Sequence, residues 1–355
     1  MSSIINGNNI KISVFGQSHS DAIGCVIDGL PAGISLDTEY IASFMKRRAP
    51  GNSNVSTQRK EADLPEIVSG LSDGVTCGAP LCAVIRNTGF QSKDYSELKV
   101  KPRPSHADLG YSIKTNSNND IKGGGHSSGR LTAPLCFAGA IALQLLKERG
   151  ITVKAHIFSV AEVYDTPFDP MAMCREDIAS KPFPVIDDAK GDEMQRVILA
   201  ARDELDSVGG VIECMVSGMP QGVGDPMFDG VENLLSRNIF GIPAVKGIEF
   251  GAGFELAKMR GSQANDPFEV KDGAVVTTSN NNGGILGGMT TGMPVLFRVV
   301  IKPTPSIARQ QNTVDLSTMQ NTTLCITGRH DPCIVQRAVP VVEAVAAITM
   351  LDLIL

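Results

Sequence analysis

The sequence predicts an α+β fold, internally duplicated as a layered β-α-β sandwich in which apolar helices pack between antiparallel sheets. Three observations predict it. Residues 25–33 read CVIDGLPAG and residues 214–222 read CMVSGMPQG, with the Cys, the Pro and two glycines coinciding. Residues 67–71 (IVSGL) are answered by residues 285–289 (ILGGM), and each is followed within a few residues by Thr-x-Gly-x-Pro and a strand-like run, at 76–85 and 290–299. Finally, His126 and His330 each stand before a long apolar segment, and the first of these, residues 131–146, carries no formal charge. Helices that are apolar on nearly every face must be covered on both sides, which places them in the middle of the layers. The echoes keep their order and lie 189 to 218 residues apart, so the chain reads as a single domain, 1–355, with pseudo-repeat halves of about 1–150 and 205–355.

Taken in order, residues 9–15 alternate as a short strand, 16–20 (GQSHS) form a loop, and 24–28 resume a strand that turns at GLPAG. A helix is expected over 37–46 with Asp37 as N-cap, then a basic Lys46-Arg47-Arg48 end and an Ala-Pro-Gly turn. Strands follow at 66–68 and 81–85. The buried helix spans 131–146, and 151–163 is a long strand or strand pair. Residues 164–190, rich in Pro and Asp, form an irregular excursion, and a charged helix covers 193–205. A strand at 211–216, a helix at 228–236, a glycine loop at 279–288 feeding a strand at 294–301, and a last apolar helix from 338 to 355 complete the chain.

Composition narrows the functional classes. The net charge of −6 speaks against a general nucleic-acid surface, so the arginines act locally. Eight cysteines without C-x-x-C or a His/Cys cluster point away from a metal centre and from a disulfide framework. The polar N-terminus lacks a signal-peptide core, and no apolar run reaches the ~18–20 residues of a membrane span. The expectation is a cytoplasmic protein with no membrane partner.

Residues 101–130 organise the chemistry. A Pro-rich turn carries His106, and Gly123-Gly124-Gly125-His126-Ser127-Ser128-Gly129-Arg130 then opens the buried helix. Adjacent glycines let backbone N–H groups approach an anion, and Ser127, Ser128 and Arg130 add donors near a helix start. The alternative is a plain turn. The loop is no P-loop, since Gly-Lys-Ser/Thr is missing, and no dinucleotide fingerprint. Residues 302–306 (KPTPS) repeat the combination of a cation with hydroxyls. His156 and His330 read as structural, whereas Lys46, Arg47 and Arg59 fit either a solvated rim or an anion-binding one.

Ten motifs in order resemble one family: Gly16-Gln-Ser-His19, Arg47-Arg48-x-Pro50-Gly51, Gln58-Arg59-x-Glu61-x-Asp63, Arg103-Pro-x-His106-Ala-Asp108, Gly123-Gly-Gly-x-Ser-Ser-x-Arg130, residues 244–249 (AVKGIE), Arg260-Gly-Ser-Gln263, Gly283-Gly-Ile-Leu-Gly-Gly288, Lys302-Pro-Thr-x-Ser306 and Gly328-Arg-His-Asp-Pro-Cys333. The chain resembles chorismate synthase over essentially its whole length. The resemblance implies a 1,4-elimination of phosphate from 5-enolpyruvylshikimate 3-phosphate, with reduced FMN required although the reaction has no net redox change. It also implies a homotetramer and a sandwich of helices between antiparallel sheets.

By the same resemblance His19, His106 and Asp331 are catalytic: His19 serving the leaving phosphate, His106 the flavin, and Asp331 a proton at the flavin N5. Arg48, Arg103, Ser128, Arg130 and Arg329 are expected to bind substrate. His126, Ser127, Ser128, Gly287, Lys302, Pro303, Thr304, Pro305, Ser306 and Arg329 are expected to bind the flavin, and Arg48 NADP. Three positions depart from the pattern: His126 replaces an arginine, Gly129 an alanine, and Asn54 an arginine. With no added flavin-reductase segment, an external flavin reductase is the expected partner, with NADPH as an indirect reductant. A flavin-dependent oxidoreductase and a non-catalytic flavin or phosphate binder are the competing classes.

Overall fold

A computed structural model describes residues 3–49, 51, 63–87, 96–173, 177–326 and 331–355. Two five-stranded antiparallel sheets carry the chain. In the first, strands Ile4–Asn6, Lys11–Gly16, Ala22–Asp28, Leu81–Arg86 and Pro65–Ser69 lie in that spatial order. In the second the order is Val245–Phe250, Val295–Ile301, Gly210–Ser217, Thr152–Val160 and Val163–Tyr164. Cys25 sits between Val14 and Ala83 in the first sheet, and Cys214 between Ala155 and Phe297 in the second. The two strands that share the CxxxG echo are thus both interior strands, flanked by a preceding strand and by the strand that follows Thr-x-Gly-x-Pro.

The helix Thr132–Glu148 contacts strands of the first sheet, the C-terminal helix Val335–Ile354 contacts strands of the second, and the two helices pack on each other. Their crossing is close because it is built from small residues: a Cβ on Gly139 would lie 2.2 Å from the Cβ of Ala344. Phe137, Ile141, Leu145, Leu146, Val345 and Ile348 are buried here, and each Leu or Ile removed from water stabilises the fold by about 1.5–3 kcal/mol. The uncharged run is therefore a core helix. The segment Gly129–Glu148 is long and apolar enough to cross a membrane, contrary to the expectation that no run reaches that length, but most of it is buried against sheet and helix.

The other expected helices appear with small shifts, whereas strand Ile4–Asn6, helix Asp108–Lys114 and the hairpins Phe268–Lys271/Ala274–Thr277 and Gln311–Asp315/Gln320–Leu324 were not anticipated. The first helix is Thr38–Arg48, and the Asp37 carboxylate accepts from the Tyr40 amide as an N-cap does. The charged helix begins earlier than expected, at Asp188, because Asp187 caps it by accepting from Ala189 and Lys190. The C-terminal helix begins at Val335, so Pro340 stands near its start.

His156 ties together two described parts of the excursion expected over 164–190, around Asp165 and Phe168 and at Ile186 and Asp187. This imidazole is wholly buried; its Nδ1 lies 2.9 Å from Asp165 and its Nε2 3.0 Å from Glu213. Asp165 accepts from the amides of Ile186 and Asp187, and Glu213 from the amide of Phe168 and Nε of Arg298. Burial opposes charge on His156, but its bonds to the two carboxylates outweigh that and raise its pKa. The structural reading of His156 holds.

Candidate active site

The glycine loop is the meeting point of the site. Gly123, Gly124 and Gly125 have φ of 60°, 90° and 56°, a left-handed run that only glycine adopts without strain. The loop needs these glycines for contact as well as for conformation. A Cβ on Gly123 would fall 2.3 Å from Cε1 of His19, and one on Gly124 would touch the ring of His106 at 3.3 Å. His19 and His106, more than eighty residues apart in sequence, thus flank the same three-residue stretch. The Ser18 amide donates to the Gly125 carbonyl at 3.0 Å and fixes the His19 loop against it.

His106 is oriented from behind. Its Nδ1 is 2.6 Å from Asp108 Oδ1, and Asp108 is gripped by Arg103 through Nε (2.7 Å) and Nη2 (2.9 Å). Nδ1 faces both Asp108 and, at 3.1 Å, Nη2 of Arg103, which leaves Nε2 as the nitrogen turned toward Gly124. Burial opposes ionisation of Asp108, but the hydrogen bonds from Arg103 and His106 prevail and hold its carboxyl well below the usual range.

Arg103 also donates to Ser306 at 3.1 Å, and Lys302 donates to the Ser105 carbonyl, so residues 302–306 join the His106 turn. The Thr313 hydroxyl donates to Pro102 from a hairpin in the second half of the chain. Burial, and then the cation of Lys246, lower the pKa of Lys302.

At its far end the glycine loop meets the arginines. Arg48 is buried and donates to Asp63 (2.7 Å), Thr132 (3.1 Å) and the Gly129 carbonyl (2.9 Å). Arg130 donates to the other oxygen of Asp63 and, through Nε, to Asn87 at 3.1 Å; Asn87 in turn donates to the Ser20 carbonyl beside His19. Arg337 donates to Asp331 at 2.6 Å and to the Arg48 carbonyl at 3.2 Å. Among the described residues, Arg48 and Arg130 share Asp63 while Arg337 holds Asp331, which gathers guanidiniums of the kind that fork onto oxyanions.

Arg337 and Asn87 are the residues sequence reasoning missed. Arg337 sits in an apolar helix, and Asn87 in a strand-to-loop junction with no motif signal. Arg329, Asn54, Arg59 and His330 lie outside the described residues. Arg47 is neither a solvated rim nor an anion contact: it forks onto Glu343 at 2.6 and 3.1 Å.

His126 differs from the expectation of a charged ligand contact. Its Nδ1 donates to the Gly16 carbonyl at 2.7 Å, and its Nε2 meets the Ser3 hydroxyl, so both ring nitrogens serve the N-terminal strands. Ser127 lines a narrow crevice with Ala107, Asp108, Tyr111 and Gly124, while the Ser128 hydroxyl accepts from the Arg130 amide. Gly287 does not join the cluster. It turns the hairpin beside Gly222, whereas Lys302 follows the opposite end of strand Val295–Ile301, and seven residues of strand span about 20 Å.

Comparison with known proteins decides the family. The chorismate synthase profile matches residues 10–355. The chorismate synthase of Lancefieldella parvula is 44% identical, with 98% of this chain and 94% of that protein covered; that of Dehalococcoides mccartyi is 45% identical, covering 98% and 96%. The chain belongs to the chorismate synthase family. A solved chorismate synthase structure superposes with a TM-score of 0.75 at 24% identity, over 98% of this chain and 92% of that one, and supports the α+β fold. As a member of this family the chain is a carbon–oxygen lyase: it eliminates phosphate from 5-enolpyruvylshikimate 3-phosphate to form chorismate, within the shikimate pathway of aromatic amino acid biosynthesis.

Proposed function

We propose that the elimination runs at the glycine loop between His19 and His106, with reduced FMN as cofactor. The observation that carries the reading is the pair of contacts at Gly123 and Gly124, which hold two imidazoles on one loop whose other end bears Arg48 and Arg130. The residues present fit a flavin: Lys302 and the Ser306 hydroxyl border the His106 turn, and the buried Thr304 hydroxyl finds no hydrogen-bond partner among the described residues. Pro303 and Pro305 hold that segment extended, and Ser127, Ser128 and the His126 backbone complete the set. When bound, reduced FMN supplies electron density to the substrate ring without being consumed.

The chain's own tasks then follow. Arg48, Arg103 and Arg130, with Arg329 and Ser128, bind the phosphate and carboxylates of the substrate. His19 gives a proton to the departing phosphate oxygen. His106, oriented through Nδ1 by Asp108, holds the proton balance of the flavin through Nε2, and Asp331 takes up a proton at the flavin N5. Arg48 is also assigned to NADP, with NADPH acting as an indirect reductant through an external flavin reductase.

We also infer that the chain is one domain of two diverged copies, strand Thr152–Val160 supplying to the second sheet what Lys11–Gly16 supplies to the first. It works as a cytoplasmic homotetramer. The test is anaerobic incubation with 5-enolpyruvylshikimate 3-phosphate and dithionite-reduced FMN. Many phosphates should be released per flavin with no loss of reductant. Reductant consumed in step with chorismate would favour an oxidoreductase and sink the reading.

A further inference from the structure

Arg337 stands in the first turn of the C-terminal helix, and its fork has two partners of different kinds. Nη1 donates to Oδ2 of Asp331, a carboxylate only 8% exposed, at 2.6 Å. Nε donates to the backbone carbonyl of Arg48 at 3.2 Å. Arg48 is the last residue of helix Thr38–Arg48, where carbonyls lack intrahelical partners and a cation is favoured. From that anchored backbone the Arg48 guanidinium reaches Asp63, Thr132 and Gly129. One side chain therefore sets both the carboxylate of Asp331 and the root of Arg48.

The placement is electrostatically adverse by itself. Burial and the Arg48 guanidinium both lower the pKa of Arg337, with Asp331 the first opposing partner. A neutral residue would fill the same space without that conflict, so the position is better accounted for by what the fork orients than by helix packing. A lysine, with one compact ammonium, cannot reproduce a planar fork aimed at two acceptors.

We propose that Arg337 is a positioning residue for the elimination: it fixes the Asp331 carboxylate and anchors the backbone from which Arg48 reaches into the site. The proposal rests on the proton role of Asp331 given above. It acts through these two residues, so it predicts a split in kinetics. Losing the Asp331 contact slows turnover, and loosening Arg48 weakens substrate binding.

The test compares the full chain with Arg337→Gln, Arg337→Lys, Asp331→Asn and the Arg337→Gln/Asp331→Asn pair, using 5-enolpyruvylshikimate 3-phosphate and reduced FMN without oxygen. Arg337→Gln should lower kcat on the order of 10–10²-fold, the scale of a misplaced catalytic group, and raise KM. Arg337→Lys, which can keep one partner, should recover part of kcat but not KM. The double variant should turn over no more slowly than Asp331→Asn alone, because two residues acting as a unit do not add. Losses that multiply in the double variant overturn the proposal. Wild-type kcat in Arg337→Gln beside an impaired Asp331→Asn overturns it too, and leaves the role of Asp331 standing. Unchanged kcat in Asp331→Asn overturns both. Should Arg337→Gln fail to fold, Arg337→Lys enters the same cycle in its place.

Discussion

Gly123 and His19 are in contact so close that glycine has no substitute: an added Cβ would stand 2.3 Å from Cε1 and 2.5 Å from Nδ1 of the imidazole. The backbone at Gly123 is also left-handed, at φ 60°. Gly123→Ala must therefore strain the loop or displace His19. We expect turnover to fall on the order of 10²-fold, with a stability loss of about 1–3 kcal/mol. Gly129 is the matched control. A Cβ there meets nothing within 4 Å, so Gly129→Ala should keep both rate and melting temperature. That open space also explains why glycine can stand where alanine is usual. Equal losses in the two variants would mean that the loop, and not its contact with His19, sets the rate.

The two histidines should be separable from the fold. Both lie in Gly, Ser and Pro turns on the surface of the core, where side chains add little to packing. His19→Ala and His106→Ala are each expected to cut turnover by roughly 10²-fold or more, while the unfolding midpoint stays near that of the parent. In His106→Ala the Asp108–Arg103 pair survives, because Arg103 grips both oxygens. Stopped-flow turnover alongside thermal melts checks this. A large drop in melting temperature with activity per folded molecule intact would return either histidine to a structural role.

Asp63 is the counter-ion on which the arginine cluster depends. Its side chain is fully buried, with Arg48 on one oxygen and Arg130 on the other. Asp63→Asn keeps the shape and removes the carboxylate charge that two buried guanidiniums share, at a cost of about 3–5 kcal/mol. Removing that negative charge should let the cluster bind the anionic substrate more strongly. Added 5-enolpyruvylshikimate 3-phosphate is therefore expected to raise the melting temperature of Asp63→Asn further than that of the wild type. Equal shifts would show that this cluster does not face the substrate.

Much of this was legible in the sequence, for identifiable physical reasons. The core helix announced itself because sixteen uncharged residues have no amphipathic option. The glycine triplet did so because three left-handed residues in a row require glycine. What escaped were relationships carried by distance in the chain. His126 looked like a ligand cation, but its partners are Gly16 and Ser3, 110 and 123 residues away. Arg337 fell just before the expected start of the last helix, at 338, and carried no signal until Asp331 and the end of another helix were placed beside it. Gly287 and Lys302 were both expected at the flavin, yet they lie toward opposite ends of strand Val295–Ile301. Short motifs name residue types, whereas the sheet register decides which of them meet.

The His156 network makes the fold's pH response testable. Asp165 and Glu213 raise the imidazole against the opposing effect of burial, so its folded pKa lies above the unfolded value of about 6.5. The stabilisation is then fully present below about pH 6.5 and is lost as pH rises through the raised folded value. His156→Gln keeps hydrogen-bonding capacity without the charge, while Arg298 still pairs with Glu213 at 2.8 Å. We expect the stability gap between wild type and His156→Gln to be widest in mild acid and to narrow on the alkaline side. The 165–187 excursion, held through Asp165 and the Phe168 amide, should be the part that loosens, seen as earlier proteolysis there. Urea unfolding between about pH 5.5 and 9, with limited proteolysis at both ends, makes the measurement. Curves that run parallel would show that His156 does not change its charge on folding, and that the excursion is held by neutral hydrogen bonds alone.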